Sequence, residues 1–462
     1  MNETEQAFDV VVLGSGMSGL SAGWTAAQSG ARVAVLEKLT EIGGSAALSA
    51  GMFWTAPDFG AYQARVPLGD RVLGRRLVDD YEAALAEIRG TGIDVAAEPL
   101  TGIMTFGRGY SLAIRDLLPR LAVDIVAAGG RVATSARATE IRRTPDGFHL
   151  TVETDDGALH FACASLVLAT GGFAGSAEKL GSAIGRNADR LVHRANKGSV
   201  GDGLDHAKAL GAAASRGMST FYGHLLPSPL ASFEPEEFLP LSQYYSDYCI
   251  LVNTAGRRFI DERQGDELLN QELVFQPEAR GFLIFDDRVR TEHATAEPFP
   301  GLGVLDRYKG AVAAGARHVQ ADTLEGLLDA VSRWGLPRDT LARTVEEFSR
   351  ATAAGGGHAG GAAVSPAATA PAVPPFYALE VQPSVTFTFG GIRIDSDGRA
   401  LDADGRAVPG LFAAGADAGG LSNIGYAGGL APAYITGRWA GAAAAAHAAL
   451  GTDSALLDAV AP

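Results

Sequence analysis

Three glycines near the amino terminus have a spacing that suits the binding of phosphate groups. Gly14, Gly16 and Gly19 follow an apolar run that predicts a buried strand, and they precede residues with helical apolar spacing. Glycines in this pattern permit a tight turn, let the backbone approach a pyrophosphate and let the helix pack on the sheet. Glu37 lies at the end of the next predicted strand, where it can accept hydrogen bonds from ribose hydroxyls. The pattern predicts a dinucleotide-binding turn that also includes Ser15, Met17 and Ser18.

Further glycine- and serine-rich segments follow, and their number favours a flavin over a nicotinamide. A loop directly after Glu37 is not needed for NAD, whereas a flavin and its ribityl chain extend beyond the pyrophosphate. This loop comprises Lys38, Gly43, Gly44, Ser45, Ser49, Ala50, Gly51 and Met52. Three more such pieces are 169–172 (with Ala169, Thr170 and Gly171), 409–415 and 425–429. Because only one dinucleotide fingerprint is present, we expect bound FAD and no separate NAD(P)H domain.

Composition and charge argue against several classes of protein. The 462-residue chain carries 38 basic and 53 acidic residues, and its net charge of −15 would be repelled by nucleic acid. Two cysteines without a CxxC pattern argue against a disulfide scaffold, an iron–sulfur cluster or c-type haem, and favour a cytoplasmic location. We expect no signal peptide and no membrane span, because no apolar run reaches about 18 residues. The nine histidines show no ligand spacing, so no metal is expected.

The hydrophobic periodicity predicts strands that alternate with helices, which is typical of an α/β fold. The predicted strands are 8–13, 31–37 and several within 131–168, and the predicted helices are 20–29, most of 75–130, 322–350 and 431–449. Residues 352–374 are rich in Ala, Gly and Pro, which predicts a mobile surface loop.

Taken together, the motifs resemble those of the fumarate reductase/succinate dehydrogenase flavoprotein superfamily, which also holds the 3-ketosteroid dehydrogenases and tricarballylate dehydrogenase. The matching segments are GSGMSGLSAG at 14–23, VAVLEK at 33–38, GGSAALSAGM at 43–52, LATGGF at 168–173, GDG at 201–203, VNTAGRRFIDE at 252–262, GGIRIDSDG at 390–398, VPGLFAAG at 408–415 and GRWAG at 437–441. The resemblance implies a Rossmann-like FAD-binding domain formed by both chain ends, 1–220 and 380–462. It also implies an inserted α+β capping domain at 221–379.

The resemblance implies further cofactor contacts that spacing alone does not give. It places main-chain contact with the adenine at Ala138 and a cofactor contact at Asp202. At the start of the last helix and in the late glycine motif it implicates Gly429, Leu430, Ala431, Gly415 and Asp417. Family members usually carry Glu directly after the AAG of that motif, whereas this chain has Ala416 there and its acid one place later. No histidine occupies a family position for covalent attachment, so FAD is expected to be held non-covalently.

Departures from the family pattern argue against fumarate or succinate as substrate. The family's fumarate reductases have an arginine after the RF-x-x-E segment, a histidine pair before the late Gly-Gly and another arginine before the last helix. This chain has Thr386 and Phe387 in place of the pair and Tyr426 in place of the later arginine, and Arg263 is displaced from the earlier position. A dicarboxylate would therefore lose its anchor and its proton donor.

Tyr426 is instead the leading candidate for a catalytic residue. The 3-ketosteroid dehydrogenases have a tyrosine before a glycine-rich turn at the corresponding place, where the phenol and a backbone N–H polarise a carbonyl. In the cap, Tyr244 and Tyr245 are alternative candidates for the base, and His224 lies near the family's substrate-binding histidine. Each residue also has a plainer interpretation, as a packing aromatic or a solvated loop histidine.

We therefore expect an FAD-dependent dehydrogenase that acts on a CH–CH bond beside a carbonyl of a small organic molecule. Hydride would pass between flavin N5 and the carbon β to the carbonyl, as desaturation or as the reverse ene-reduction. Two alternatives stay open, namely flavin oxidation of a C–N or C–O bond and a non-catalytic flavoprotein that passes electrons to a partner. The sequence does not identify the electron donor or acceptor.

Overall fold

Two compact units make up the chain, and the computed structural model describes residues 5–298 and 302–459 of it. The first unit comprises Met1–Lys179, Ala195–Phe221 and Phe387–Pro462, and the second comprises Leu180–Arg194 and Tyr222–Thr386. The second unit therefore contains a short segment, Leu180–Arg194, that precedes the inserted region expected from the sequence.

Twenty-six strands lie within the described ranges, and many of them have only two residues. They are β1 Gln6–Leu13, β2 Val33–Leu36, β3 Met52–Thr55, β4 Leu100–Ile103, β5 Gly107–Ser111, β6 Arg131–Ala133, β7 Arg137–Thr144, β8 Gly147–Thr154, β9 Gly157–Leu168, β10 Val192–His193, β11 Phe221–Tyr222, β12 Leu226–Pro227, β13 Ile250–Asn253, β14 Gly281–Asp286, β15 Thr295–Ala296, β16 Leu305–Asp306, β17 His318–Ala321, β18 Gly357–Ala359, β19 Ala362–Val364, β20 Phe376–Gln382, β21 Ser384–Val385, β22 Phe387–Thr388, β23 Ile392–Arg393, β24 Arg399–Leu401, β25 Ala407–Ala413 and β26 Ala418–Gly419.

Thirteen α-helices lie within the same ranges. They are α1 Met17–Gln28, α2 Phe59–Arg65, α3 Arg71–Asp79, α4 Tyr81–Gly90, α5 Ile114–Ala127, α6 Ala177–Ala183, α7 Asp202–Ala209, α8 Asp266–Leu273, α9 Asp287–Glu292, α10 Arg307–Ala313, α11 Leu324–Ser332, α12 Arg338–Ala353 and α13 Leu430–Ala459. In the part of the chain that is described, none of them has the length and apolar character needed to span a bilayer.

The main sheet of the first unit has the strand order β24-β25-β9-β1-β2-β6, with β7 and β8 continuing from β9. The pairings β1–β2, β1–β9, β2–β6 and β25–β9 are parallel. Strands buried on both faces of a parallel sheet are continuously apolar, as the fully buried β2 is. Because β25 comes from the carboxyl-terminal part of the chain, both chain ends build this Rossmann-like sheet, and the predicted fold class is confirmed.

Helices α1 and α13 pack closely because small residues line their contact. A Cβ atom at Gly437 would lie 2.4 Å from the carbonyl oxygen of Ser18, and one at Gly441 would lie 2.3 Å from that of Ala22. The hydroxyl of Ser21 donates to the carbonyl of Tyr434 at 2.8 Å across the same contact. The close approach fixes the start of α13 relative to the turn that precedes α1.

A small antiparallel sheet interrupts the region that was expected to be mostly helical. Strands β3, β5 and β4 pair in that order, so the helical prediction is wrong for 100–111. The reason is local: a Cβ at Gly107 or Gly109 would lie 2.3 Å from side-chain atoms of Trp54 on the neighbouring strand. These glycines let the indole lie flat on the strand, and they are poor helix formers.

The second unit is built on an antiparallel sheet in which β20 pairs with β12, β14 and β17, and β14 pairs with β13. Side chains of β14 alternate between two cores. Leu283 and Phe285 face one cluster, which also contains residues of α8, α9 and α10. Phe282 and Ile284 face the other, which also contains residues of α11 and α12. This two-residue alternation gives the unit an α+β architecture with a core on each face of its sheet.

The prediction of a surface loop at 352–374 is wrong for 352–353 and 357–364, whereas 365–374 form no helix or strand. Helix α12 continues to Ala353, and β18 and β19 then form a hairpin. The buried guanidinium of Arg258 donates to the carbonyls of Ala359 and Ala363 at 2.9 and 2.8 Å. Val364 is 3% exposed and belongs to the core. A low-complexity composition here is compatible with order because the hairpin's carbonyl groups bind Arg258 and its small apolar side chains pack in the core.

Candidate functional site

The turn after β1 can form only with glycines. Gly14 has φ +100°, and a Cβ there would lie 2.2 Å from the carbonyl oxygen of Ala169. A Cβ at Gly19 would lie 1.9 Å from the carbonyl oxygen of Gly14. Both close contacts are with backbone, which cannot move aside, so the sequence places the start of α1 directly against the ends of β1 and β9.

Gly16, by contrast, borders open space. Its φ of −70° is ordinary, and a Cβ there would meet nothing nearer than the carbonyl oxygen of Gly43 at 3.9 Å. The N–H of Gly43 donates to the carbonyl of Ser15 at 2.9 Å, which holds the second glycine loop beside the turn. No side chain caps the start of α1 at Met17, so its first N–H groups remain available to an anion. This open, uncapped cradle is what a pyrophosphate requires.

Glu37 connects the second strand to the same turn. One carboxylate oxygen accepts from the N–H and the hydroxyl of Ser15, both at 2.9 Å, and the other accepts from the N–H of Leu39 at 3.0 Å. A carboxylate has further lone pairs, so Glu37 can also accept from ribose hydroxyls. Lys38 forms an ion pair of 2.8 Å with Asp202 at the start of α7. The two predicted cofactor residues therefore contact each other.

Asp417 holds the turn that follows β9. The side chain is fully buried, and one of its oxygens accepts from both the N–H and the hydroxyl of Thr170. The other oxygen accepts from the N–H of Gly172 at 3.0 Å. These bonds position the turn, and a cofactor contact of Asp417 stays a prediction.

The remaining predicted cofactor residues lie in loops and element ends of the first unit. Ser45 accepts from the N–H of Asn196 at 3.1 Å, and Gly415 donates its N–H to Thr436 at 2.9 Å. Thr388 has a buried hydroxyl with no partner, beside the turn at Gly172. The other predicted cofactor residues lie in four places. Gly44, Ser49, Ala50, Gly51 and Met52 lie in or at the end of the glycine loop after Glu37, Ala138 lies on β7, Gly171 lies in the turn after β9, and Gly429, Leu430 and Ala431 lie at the start of α13. An orphaned hydroxyl and an open glycine cradle fit FAD as the bound group.

Tyr426 lies in the loop that precedes α13. Its ring is 6% exposed and packs edge-on against Trp54, with ring centroids 5.1 Å apart, and parallel to Phe389 at 6.1 Å. The hydroxyl oxygen is 2.9 Å from the point where a Cβ of Gly429 would stand. The phenol therefore lies beside the first N–H groups of α13, which carry partial positive charge. A phenol and these N–H groups can together hydrogen-bond to one carbonyl oxygen.

In the second unit, His224 is the centre of a hydrogen-bonded chain. Its Nδ1 contacts the carboxylate of Asp266 at the start of α8, and its Nε2 lies 2.6 Å from the hydroxyl of Tyr222. Asp266 also accepts from the hydroxyl of Ser246 at 3.2 Å. The imidazole is fully buried, which excludes the solvated-loop interpretation of this histidine. A carboxylate that orients an imidazole, which in turn contacts a hydroxyl, is an arrangement that can move a proton.

Burial sets the protonation of the hydrogen-bonded groups around His224. Burial and the positive charges of Arg194 and Arg307 hold the pKa of His224 well below its usual range. Burial raises the pKa of Asp266 to about 7. At neutral pH the imidazole is therefore neutral, and its Nε2 can accept a hydrogen bond from the hydroxyl of Tyr222.

The two predicted bases of the second unit have different environments. The ring of Tyr244 packs edge-on against His224 with centroids 4.5 Å apart, and burial raises the pKa of its phenol. Tyr245 is 1% exposed within the hydrophobic core, and its hydroxyl is buried without a hydrogen-bond partner. Burial raises the pKa of Tyr245 well above its usual value. Tyr245 packs as a core residue of the second unit, which favours Tyr244 as the candidate for the base.

Sequence reasoning missed Tyr222, Asp266 and the two buried arginines Arg194 and Arg307. Tyr222 is two residues before His224, so an extended backbone puts both side chains on one face, and this signal was available. Asp266 is 42 residues beyond His224, and nothing in its local sequence indicates the contact. Within the described residues, no group of three or more His, Cys, Asp or Glu side chains could hold a metal ion.

Comparison with known proteins agrees with this geometry. The chain is 27% identical to "Fumarate reductase (cytochrome)" of Shewanella frigidimarina over 95% of its length and 77% of that protein. It is also 27% identical to "4-oxocyclohexanecarboxylate 2-dehydrogenase" of Sinomonas cyclohexanicum, over 97% of this chain and 96% of that protein. Among solved structures, 3-ketosteroid-Δ4-(5α)-dehydrogenase from Rhodococcus jostii RHA1 matches with a TM-score of 0.74 at 23% identity, over 96% of this chain and 98% of that one.

These likenesses confirm the predicted superfamily. The FAD binding domain family itself matches residues 9–62 and 93–430, which is most of the chain. That match covers the glycine turn at Gly14, the acid Glu37 and the start of α13, the features that form the cradle described above. The chain therefore belongs to the FAD binding domain family, and it is an FAD-dependent oxidoreductase.

Proposed function

We propose that the protein transfers hydride between bound FAD and the carbon β to a substrate carbonyl. The reaction is α,β-desaturation of a small organic molecule or the reverse ene-reduction. The single observation that carries the proposal is the position of the Tyr426 hydroxyl, beside Gly429 at the start of α13 and in the same unit as the FAD cradle.

The chemistry of this position is the polarisation of a carbonyl. The phenol of Tyr426 and the first N–H groups of α13 donate to the carbonyl oxygen, and they donate more strongly as enolate charge develops. This makes the α C–H more acidic and prepares the β carbon to lose hydride. Bound FAD supplies the acceptor, or the donor in the reverse direction.

The reaction also needs a group that takes up or gives back the α proton. Within the second unit, Asp266, His224 and Tyr222 have the chemistry for it, because the carboxylate orients a neutral imidazole that can accept a hydrogen bond from the phenol of Tyr222. Tyr244 packs against this imidazole and is the second candidate. We propose Tyr222 as the group that exchanges the proton and His224 and Asp266 as its positioning residues.

The relatives support a substrate with a carbonyl group. The Sinomonas relative is a 4-oxocyclohexanecarboxylate 2-dehydrogenase, and the structural neighbour from Rhodococcus is in complex with 4-androstene-3,17-dione. Both buried cysteines are free, which agrees with a reducing compartment, and we keep a cytoplasmic location as a prediction. The electron partner is proposed only as a small molecule or protein that reoxidises or reduces the flavin.

The test is an anaerobic substrate screen of the purified holoenzyme that follows the flavin absorbance. Saturated ketones, amines, alcohols and succinate are offered to the oxidised enzyme, and enones and fumarate to the reduced enzyme. The proposal expects bleaching by ketones or reoxidation by enones, and none by amines, alcohols or the dicarboxylates. Bleaching by an amine or alcohol alone would replace the proposed reaction with C–N or C–O oxidation, and no response to any compound would favour an electron carrier.

A further inference from the structure

Two arginines in the second unit are buried without a carboxylate partner. Arg194 is 0% exposed, and its terminal N–H groups donate to the hydroxyls of Thr386 and Ser242 at 2.8 and 2.9 Å and to the carbonyl of Phe238 at 3.0 Å. Its Nε is buried and makes no hydrogen bond. All its partners are neutral, so the positive charge of Arg194 is solvated by dipoles alone.

Arg307 is the less satisfied of the two. It is 2% exposed, and its five N–H donors make one long contact of 3.5 Å, to the carbonyl of His293. Its Nε is buried without a partner. The guanidinium lies 5.1 Å from the ring centroid of Tyr244, and burial lowers the pKa of Arg307. A guanidinium with so few contacts is costly to bury unless something else pairs with it.

Asp266 does not pair with either arginine. Across the residues that the structure describes, no carboxylate forms an ion pair within 4.0 Å of Arg194 or Arg307. The oxygens of Asp266 contact His224 and Ser246 instead. The pKa of Asp266 is raised to about 7, so even its own charge is partial at neutral pH. The cluster therefore carries an excess of positive charge.

Both arginines belong to the surroundings of the same imidazole. The charges of Arg194 and Arg307 each lower the pKa of His224, and Tyr244 lies between, with its ring 4.5 Å from that of His224 and 5.1 Å from the Arg307 guanidinium. The excess charge thus surrounds the hydrogen-bonded chain of the second unit. The rings of Tyr244 and Phe238 add apolar surface to this cluster of charged groups. The guanidinium carbon of Arg194 lies 3.5 Å from the centroid of the Phe238 ring.

We propose that the second unit binds an organic carboxylate through Arg307, with Arg194 contributing charge. A guanidinium with free donors pairs with a planar carboxylate through two parallel hydrogen bonds, and the aromatic rings suit an apolar body next to that group. The arginines that anchor a dicarboxylate in the family pattern are absent from this chain, so the site is a different one.

The experiment measures binding without turnover. Holoenzyme is titrated by calorimetry with cyclohexanecarboxylate and with cyclohexanecarboxamide, which has the same shape but no charge. The proposal expects the carboxylate to bind at least about tenfold more tightly, Arg307→Gln to abolish this preference, and Arg307→Lys to keep part of it. Arg338→Gln is the matched control, because this arginine is on α12 of the same unit and pairs with Asp329 and Glu325.

Equal binding of the two probes to wild type would overturn the proposal, as would a carboxylate preference that survives in Arg307→Gln. Binding of chloride or inorganic phosphate with the same Arg307 dependence, but no gain for the organic acid, would also overturn it. A far-UV circular dichroism spectrum and a melting temperature like those of the wild type show that each variant is folded. The calorimetric titration monitors no reaction, so a negative result in it does not bear on the hydride-transfer proposal. Conversely, a negative result in the flavin-bleaching screen does not change the measured binding.

Discussion

The substitution Tyr426→Phe tests the proposed polarising group with minimal disturbance of the structure. The ring's contacts with Trp54, Phe387 and Phe389 are made by carbon atoms that phenylalanine keeps. Only the hydroxyl beside Gly429 is lost. FAD content should therefore be unchanged, and the melting temperature should move little.

The expected loss of rate follows from the number of donors removed. One hydrogen bond that strengthens in the transition state disappears, while the N–H groups at the start of α13 remain. Removal of one such donor typically costs about 10²–10³ in rate, or roughly 3–4 kcal/mol. Substrate affinity should fall much less than the rate, because the bond is strongest when negative charge has developed on the oxygen.

The assay is the anaerobic rate of flavin reduction by a saturating ketone substrate in a stopped-flow instrument. Tyr81→Phe is the matched control, since it removes another buried tyrosine hydroxyl of the first unit, one that donates to the carbonyl of Phe53 at 2.8 Å. This control should lose about 0.5–1.5 kcal/mol of stability and none of the rate. A Tyr426→Phe enzyme within about threefold of wild type would refute the reasoning and leave Tyr426 as a packing residue.

Three further predictions follow from the structure. The rate of flavin reduction should fall as pH decreases through about 7, because Asp266 then gains a proton and no longer orients the imidazole of His224 as a carboxylate; the slower Asp266→Asn enzyme should lack this change of rate with pH, and a change that persists would contradict the assignment. Gly16→Ala should fold, as circular dichroism would report, but bind little FAD, whereas Gly19→Ala should fail to fold because its Cβ meets backbone at 1.9 Å; normal FAD content in the Gly16 variant would contradict the cradle. Arg258→Met should lower the free energy of unfolding by about 3–5 kcal/mol in a denaturant titration, because it leaves Glu262 buried and unpaired, and adding Glu262→Gln should restore part of it; a neutral single variant would mean that the 357–364 hairpin is not anchored.

The cofactor cradle could be predicted from sequence because its requirements are local. Gly14 and Gly19 are glycines owing to backbone contacts that any strand–turn–helix of this kind makes, and Glu37 follows one strand later. The fold class followed from the same motifs at both chain ends. Asp417 marks the limit of such reasoning, because its hydrogen bonds to Thr170 and Gly172 join segments about 245 residues apart and no local spacing indicates them.

The second unit was harder to predict because its chemistry depends on contacts between distant segments. His224 was singled out, but its meaning depends on Asp266 from α8, and no spacing rule connects the two. Tyr244 and Tyr245 are neighbours of the same type, and only burial separates the ring beside the imidazole from the one in the core. The hairpin at 357–364 was missed because composition does not record that Arg258 binds its carbonyl groups.

The central claim is that hydrogen leaves, or joins, two adjacent carbons beside a carbonyl. It is tested most directly by mass spectrometry of the product formed from a ketone that bleaches the flavin, prepared with deuterium at the α carbon or at the β carbon. We predict the loss of one hydrogen from each of these carbons and a slower flavin reduction when the β carbon carries deuterium. A product that has lost hydrogen from a carbon bearing nitrogen or oxygen, with the α and β deuterium retained, would contradict the proposed reaction.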